Sequence, residues 1–322
     1  MSKILPNISG AMPGEPYREL IHQFLLMIYQ EGSSDSTIRT YGWHLYRFGI
    51  WLIEQGVSHP NQVSPAIILE YGGHLRTIYA PQTQKVCVVA IKSFYKFLVK
   101  LRVCTESVSV DVKNFLGTPK VIISPQRTLT ICEVNSLISV CEGIAPKNMR
   151  ARALILLLLD TGLRAAELCG IKQKDVDINK RKISILGKGG RQELVFFGYE
   201  CQAILLEWLQ VRESLLAKSD YLFVSLGGIT PGENITPRGL RIILKRLGEK
   251  VGVENVHPHA FRRSFATLRI KDGQSTRGVQ RLGRWKNLAT FERYTQVLMT
   301  DDDFGRDEAA NYSPLKDIKS FQ

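Results

Sequence analysis

A histidine and an arginine three residues apart, His259 and Arg262, lie in the segment HPHAFRRSFAT. The segment has the pattern of an α-helix, and residues three apart share one helical face. Such a face presents an imidazole, which exchanges protons near neutral pH, beside a guanidinium, whose planar N–H donors suit phosphate. The pair therefore indicates proton transfer beside an anionic substrate.

Three further segments carry basic or aromatic residues that could take part in the same chemistry. Arg164 follows a glycine in DTGLRAAEL, Lys188 lies at the tip of LGKGGRQ, and GRWKNLATFERYT places Trp285 nine residues before Tyr294. Taken singly, each of these residues, His259 included, has an ordinary explanation: a surface arginine, a solvated turn lysine, a capping or core histidine, or a core aromatic with a solvated hydroxyl. Their order along one chain is far more specific than any one of them.

In this order and spacing, residues 126–296 resemble the tyrosine recombinases of the phage-integrase type. TGLRAAEL is similar to the first arginine motif of that family, LGKGGRQELVFF to its hairpin lysine, and HPHAFRRSFAT to its His-x-x-Arg motif. GRWKNLATFERYT is similar to the motif that ends in the nucleophilic tyrosine. Two positions differ from the commonest pattern. Arg263 stands where the family often has a second histidine, and Trp285 stands where many members have histidine and others tryptophan.

The resemblance implies a catalytic set of Arg164, Lys188, His259, Arg262, Trp285 and Tyr294, with Glu167 in support. Phosphoryl transfer depends on positioning and on stabilising charge at the non-bridging oxygens, which two arginines do well. Tyr294 is the candidate nucleophile, His259 the acceptor of its proton, and Lys188 the proton donor to the leaving 5′-oxygen. We expect Trp285 to pack around the tyrosine and Glu167, one helical turn after Arg164, to orient site groups.

Neither a metal nor another cofactor is predicted. The sequence has no acidic cluster with metal-ligand spacing, so we expect metal-independent chemistry. A phosphotyrosyl bond retains the energy of the broken phosphodiester, so no ATP is needed. The segment LGKGG lacks the G-x-x-x-x-G-K-[ST] frame of a nucleotide-binding loop and lies between two predicted strands.

The elements that must position these residues fall into two predicted domains. Residues 1–102 include four helical patterns between residues 17 and 101, which the resemblance identifies as a SAM-like core-binding domain. Residues 103–125 contain glycine and prolines without a helical period and predict an extended linker. Residues 126–322 form the predicted catalytic domain, with a C-terminal tail at 297–322. The fold class is therefore mainly α with a small β-sheet.

The second domain is predicted to alternate helices with one hairpin. Thr130 and Glu133 form a capping box before a helix, and a buried helix follows at 148–160. KISIL and ELVFF flank a glycine-rich turn and predict two strands, at 182–186 and 193–197. Further helices are predicted at 199–217, 237–250, 259–271, 275–283 and 288–296.

Charge and cysteine usage limit the class of protein. Lys and Arg outnumber Asp and Glu by 43 to 30, a net charge of +13, which suggests a polyanionic partner such as nucleic acid. Residues predicted to contact DNA are Lys92, Lys96 and Lys100 on one helical stripe, and Arg263. The six cysteines are scattered, and no apolar run is long enough to cross a bilayer, so we expect a reduced, cytoplasmic, nucleoid-associated protein without a membrane partner.

The predicted function is site-specific DNA recombination or integration at double-stranded DNA recombination sites, with the two domains clamping opposite faces of the duplex. The resemblance implies a homotetramer, a Holliday junction, and a role for accessory DNA-bending proteins. The tail at 297–322 is a candidate contact with a neighbouring protomer, which truncation after Val297 would test. Alternatives are a type IB topoisomerase-like or telomere-resolving enzyme, or a catalytically silent architectural DNA-binding protein. Tyr312 is a second candidate nucleophile, but it lies outside the motif.

Overall fold

The computed structural model describes residues 8, 10–121, 127–187, 192–215, 219–227, 230–295 and 298. The chain divides into two compact units, Met1–Ile123 and Ser124–Gln322. Each unit has its own large cluster of buried apolar side chains, as a domain requires. The fold-class prediction, mainly helical with a small β-sheet, is confirmed.

The described part of the first unit is helical. Its helices are α1 (Tyr17–Gln30), α2 (Asp35–Glu54), α3 (Pro65–Ile78), α4 (Pro81–Lys100) and α5 (Glu106–Phe115). The first four match the predicted helices closely, because apolar residues spaced by three and four form their buried faces. Ser34 and Ser64 cap α2 and α3 by accepting hydrogen bonds from the backbone N–H groups of Thr37 and Ile67.

Helix α5 corrects the extended linker predicted for 103–125. Val108, Val112 and Leu116 fall four residues apart and are buried in the same apolar cluster as α3 and α4. The segment is rich in valine and serine, whose intrinsic helix propensity is low, and this composition hid the spacing. Packing against α3 and α4 overrides that propensity. The first unit therefore has a fifth helix where the sequence predicted a linker.

The second unit combines helices with a three-stranded sheet. Its helices are α6 (Ile131–Ser139), α7 (Pro146–Thr161), α8 (Ala165–Cys169), α9 (Tyr199–Ser214), α10 (Pro237–Val251), α11 (Pro258–Lys271), α12 (Thr276–Leu282) and α13 (Leu288–Thr295). Its strands are β1 (Val176–Asp177), β2 (Lys182–Leu186) and β3 (Gln192–Phe196). The capping box of Thr130 and Glu133 is present at the start of α6.

The sheet is antiparallel in the order β1-β2-β3, with Ile183 opposite Val195 and Leu186 opposite Gln192. Its side chains alternate between two faces, as the period of two requires. Ile183, Ile185 and Val195 face the core, whereas Leu186 faces solvent. The turn that joins β2 to β3, with Lys188, lies outside the described residues.

Helix α7 is the centre of the second unit. Leu154, Ile155, Leu157 and Leu158 are fully buried, so neighbouring elements surround this helix. It packs against α9 and α11. A helix that is apolar on all sides is stable only in such a position. Arg164 follows the end of this buried helix by three residues, and α11, which carries His259 and Arg262, packs against it.

Three features of the described residues bear on the class of protein. No described helix is long and apolar enough to span a membrane. The same part of the chain contains no group of three or more His, Cys, Asp or Glu side chains placed to hold a metal ion. All six cysteines are free thiols, and five of them are buried.

Candidate active site

The turn that ends α7 brings Arg164 to the surface of the second unit. Gly162 caps α7 in the left-handed conformation, with φ of 60°, and a Cβ there would lie 2.7 Å from Cδ1 of Phe265. Both constraints favour glycine. Arg164 then stands at the N-cap of α8, and its side chain is 45% exposed. Its guanidinium is therefore accessible to an anionic substrate.

Glu167 holds Arg164 from the first turn of α8. Its Oε2 accepts a hydrogen bond from the Arg164 backbone N–H at 2.8 Å, and its Oε1 pairs with Nη1 of Arg164 at 2.5 Å. Burial alone would raise the pKa of the Glu167 carboxyl. The Arg164 amide, the Arg284 guanidinium and the Arg164 guanidinium together lower that pKa below its usual value. Glu167 is thus ionised at neutral pH and orients Arg164.

Arg262, on α11, lies inside the second unit. Its guanidinium donates from Nη1 to the carbonyl of Gly162 and from Nη2 to the carbonyl of Gly283, the latter at 2.6 Å. Its Cζ lies 4.1 Å from the centroid of the Trp285 ring, which is within cation–π range. These contacts join residues that are 100 and 21 positions apart in the sequence. Arg262 therefore connects the motif of Arg164 to the motif that ends in the tyrosine.

Trp285 links α13 to this arrangement. Its ring stacks on Phe265, with centroids 6.1 Å apart, and meets Phe291 of α13 edge-on at 5.0 Å. Tyr294 follows Phe291 by three residues in the same helix. The side chain of Tyr294, like the whole of Lys188, lies outside the described residues. Trp285 thus contacts α13 through Phe291, and its expected packing around Tyr294 itself stays a prediction.

His259 stands in the first turn of α11, where its surface remains accessible to solvent. The surrounding protein displaces part of the water around the imidazole, and this desolvation lowers its pKa. Four arginines lower that pKa further: Arg262, Arg263, Arg164 and Arg241. Because positive neighbours disfavour the imidazolium, His259 is neutral at pH 7 and able to accept a proton.

The neighbouring histidine, His257, has a structural task. Its Nδ1 accepts a hydrogen bond from the backbone N–H of Ala260 at 3.2 Å and caps α11. This cap places His259 and Arg262 on the first turns of the helix. Two histidines two residues apart thus differ in role because only one of them is the N-cap.

Three residues near the site were not predicted from the sequence: Arg241, Arg284 and Glu193. Arg241 lies on α10 close enough to lower the pKa of His259. The sequence does contain one indication of Arg241: it follows Arg238 by three residues, on the same face of a basic helix that begins at Pro237. Arg284 and Glu193 form an ion pair although they are 91 residues apart. No local sequence pattern predicts a pair at that separation.

The basic face predicted on α4 is present in the first unit. Lys96 and Lys100 are exposed, and Lys92 is half-buried and donates to Oγ1 of Thr118 at 3.4 Å. Burial and the nearby Lys113 lower the pKa of Lys92. Lys113 belongs to α5, so the fifth helix adds a cation to this face. Clustered cations of this kind favour phosphate contact, and the contact itself remains a prediction.

Arg263 is positioned differently from these lysines. It is 6% exposed, and its Nε donates to the backbone carbonyl of Arg127 at 3.0 Å. Most of the side chain is therefore occupied within the second unit. Its predicted contact with DNA stays a prediction.

Replacing Gly283 by alanine is expected to disturb the whole arrangement. The backbone φ of −80° suits alanine, but the added Cβ would overlap the indole ring of Trp285. That ring is held by Phe265, Phe291 and Arg262, so it cannot move freely. We expect the free energy of unfolding to fall by about 1–3 kcal/mol. The DNA cleavage predicted from the sequence is expected to slow by about 10²-fold, since small displacements of catalytic groups have effects of that size.

Gly73→Ala is the matched control for this variant. Gly73 lies in α3, and a Cβ there would meet nothing within 4 Å. Thermal unfolding and single-turnover cleavage of both variants check the prediction. A Gly283→Ala protein as stable and active as Gly73→Ala would show that the Trp285 ring has room to move.

Comparisons with known proteins agree with this geometry. The phage integrase family profile matches residues 127–301. The chain is 32% identical over 271 residues to the tyrosine recombinase XerC of Myxococcus xanthus, covering 83% of this chain and 89% of that protein. It is 32% identical over 285 residues to the tyrosine recombinase XerA of Thermococcus kodakarensis, covering 87% and 91%.

A solved structure shares the fold. The XerH site-specific recombinase, crystallised with a palindromic difH substrate in a post-cleavage complex, aligns with a TM-score of 0.66 at 20% identity. The alignment covers 94% of this chain and 90% of that one. The chain therefore belongs to the phage integrase family of tyrosine recombinases, a class of site-specific DNA recombinases.

Proposed function

We propose that this chain cleaves and rejoins duplex DNA at specific sites through a covalent 3′-phosphotyrosyl bond on Tyr294. The observation that carries the proposal is the set of contacts made by Arg262. Its guanidinium holds the carbonyls of Gly162 and Gly283 and lies on Trp285. Three of the four sequence motifs thereby meet at one place, although they are far apart along the chain.

Positive charge at this place suits a phosphodiester substrate. Arg164 is the exposed guanidinium, and we assign it the contact with a non-bridging oxygen. Arg262 supplies a second positive charge, fixed by the carbonyls of Gly283 and of Gly162, which precedes Arg164 by two residues. Because these groups are already oriented, charge that develops on the phosphate needs no rearrangement of the protein. We infer that two arginines replace the metal ions used by other phosphoryl-transfer enzymes.

The proposed reaction balances without a cofactor. Oη of Tyr294 attacks the phosphorus while the bond from phosphorus to the 5′-oxygen breaks. The phenolic proton passes to neutral His259, and Lys188 supplies the proton that the leaving 5′-oxygen takes up. Rejoining reverses these steps with a 5′-hydroxyl as the nucleophile. The energy of the phosphodiester is kept in the phosphotyrosyl bond, so ATP is not consumed.

In this proposal the two units have different functions. The first unit binds duplex DNA through Lys92, Lys96, Lys100 and Lys113, and the second unit cleaves it. Recombination needs four cleavage events on two sites, so we propose a homotetramer that exchanges strands through a Holliday junction on nucleoid DNA. Accessory DNA-bending proteins are a further part of this expectation. The tail at 297–322, apart from Leu298, lies outside the described residues.

A suicide substrate tests the proposed function. A duplex that carries a binding site selected from a random library is nicked near the scissile phosphate, so that cleavage releases a short strand and traps the adduct. With EDTA present, we expect a covalent protein–DNA adduct whose peptide maps to Tyr294. Binding without an adduct would favour the architectural alternative. Relaxed circles or hairpin ends as the main products would favour the topoisomerase-like or telomere-resolving alternatives.

The pH dependence of cleavage is expected to report the low pKa of His259. Neutral imidazole is the form that accepts a proton, and its pKa lies below the usual 6.5. The single-turnover rate should therefore not decline between pH 8 and about 6.5, and should fall only at lower pH. In Arg241→Gln, one cation is removed, the pKa of His259 rises, and the acid limb moves to higher pH.

Two variants control the pH measurement. His259→Gln should be slower and should lack the acid limb. Lys245→Gln removes an exposed cation of the same helix, α10, that does not affect the pKa of His259. An acid limb that moves equally in Lys245→Gln and Arg241→Gln would contradict the assignment to Arg241.

A further inference from the structure

Arg284 joins two carboxylates from distant parts of the second unit. Its Nη2 donates to Oε2 of Glu167 at 2.8 Å, and its Nε lies 3.4 Å from Oε2 of Glu193. The Arg284 side chain is 9% exposed and that of Glu167 is 7% exposed, so solvent screens this pair little. Since Glu167 also holds Arg164, four alternating charges run from the exposed arginine to strand β3.

The backbone of Arg284 has a conformation that is uncommon for arginine. Its φ is 59°, a left-handed conformation that glycine or asparagine adopts more easily. The residue stands between Gly283, whose carbonyl holds Arg262, and Trp285, whose ring lies under Arg262. An arginine persists in such a conformation only where its surroundings determine it strongly.

Glu193 connects this arginine to both strands of the hairpin. It lies on β3 opposite Ile185 of β2. A Cβ added to Gly187, directly after β2, would lie 2.7 Å from the Glu193 carboxylate. The carboxylate thus fills the space that a side chain at Gly187 would take. Lys188 is the next residue in the sequence.

We propose that Arg284 and Glu193 are positioning residues that hold the β2–β3 hairpin at the active site, so that leaving-group protonation keeps pace with tyrosine attack. The inference rests on the proposed function, in which Lys188 protonates the 5′-oxygen. Arg284 and Glu193 contact the strands that flank Lys188, and Arg284 also contacts Glu167. Neither residue contacts a reacting atom in this proposal. Removing the pair should therefore slow departure of the 5′-oxygen and spare DNA binding.

A substrate with sulfur in place of the bridging 5′-oxygen separates this role from a general loss of structure. Attack by Tyr294 breaks the bond from phosphorus to sulfur, and the 5′-thiolate leaves without needing a proton. We expect Glu193→Gln to slow single-turnover cleavage of the oxygen substrate by about tenfold, which is less than the ~10²–10⁴-fold that a general acid typically contributes, because Lys188 itself is retained. Cleavage of the sulfur substrate should stay within about twofold of wild type, as it should for Lys188→Ala.

The control is Glu207→Gln, which removes one partner of an ion pair with Arg152 at 3.6 Å elsewhere in the second unit. It should leave both substrates unaffected. Arg284→Met should also slow the oxygen substrate, and adding Glu193→Gln to it should cause no further loss, because the pair is already broken. DNA affinity of all variants is measured in parallel.

Three results would overturn the inference. These are an unchanged rate for Glu193→Gln on the oxygen substrate, an equal slowing on both substrates, and additive losses in the double variant. Failure of the proposed function looks different, because then wild-type protein forms no adduct with either substrate. An adduct from wild type with equal rates for Glu193→Gln would leave the recombinase proposal standing and remove only the role of the pair.

Discussion

Tyr294→Phe is expected to abolish covalent cleavage of DNA, with a loss of at least about 10⁴-fold, the size seen when a nucleophile is removed. The substitution deletes a single oxygen atom and keeps the aromatic ring. Helix α13 is anchored through Phe291 and Trp285, which remain in place. DNA binding should therefore change by no more than about twofold. Adduct formation on the suicide substrate and a gel-shift titration measure the two effects.

Tyr312→Phe is the matched control for the nucleophile. Tyr312 lies in the polar tail, outside the tyrosine motif, and its substitution should leave the adduct yield unchanged. An adduct that persists in Tyr294→Phe and disappears in Tyr312→Phe would mean that the tail supplies the nucleophile. Loss of the adduct in both variants would mean that cleavage needs the tail as well as the motif.

Arg262→Lys is expected to slow cleavage by about 10²–10³-fold, the loss that follows removal of one well-placed electrostatic donor. Lysine keeps the charge but has no planar fork, so it cannot reproduce both carbonyl contacts and lie flat on Trp285. The carbonyls of Gly162 and Gly283 would then compete for one ammonium group. We expect the free energy of unfolding to fall by about 1–3 kcal/mol, since a buried acceptor loses its partner.

The next residue along the chain gives the control for Arg262. Arg263→Lys changes a similarly buried arginine, 6% exposed, whose Nε donates to the carbonyl of Arg127. It should lower stability by a similar amount and reduce cleavage much less, because its hydrogen bond goes to Arg127 and because lysine keeps the positive charge near His259. Equal losses of cleavage in both variants would show that the effect of Arg262→Lys comes from destabilisation alone.

Local periodicity made most of the helices predictable. The signals used were apolar spacings of three and four and capping residues such as Ser34 and Thr130. The hairpin was predicted in the same way, from a glycine-rich turn between two short apolar runs. Each of these signals depends only on neighbouring residues. Such signals survive without tertiary structure because they describe the preferences of short segments. Helix α5 was missed for the same reason: its short-range preference, set by valine and serine, points away from the helix that packing imposes.

The sequence by itself determined the chemical groups of this protein: two arginines, a lysine, a histidine, a tryptophan and a tyrosine in a specific order, within a basic two-domain chain. Only the tertiary structure decided how these groups are held. Arg262 is fixed by two glycine carbonyls, and Arg284 by Glu167 and Glu193. Every residue has the same backbone carbonyl, and every residue except proline has the same backbone N–H. Residue types therefore cannot reveal which carbonyl accepts a given hydrogen bond. Ion pairs across 91 or 117 positions follow from how the elements pack, and packing is a property of the whole unit.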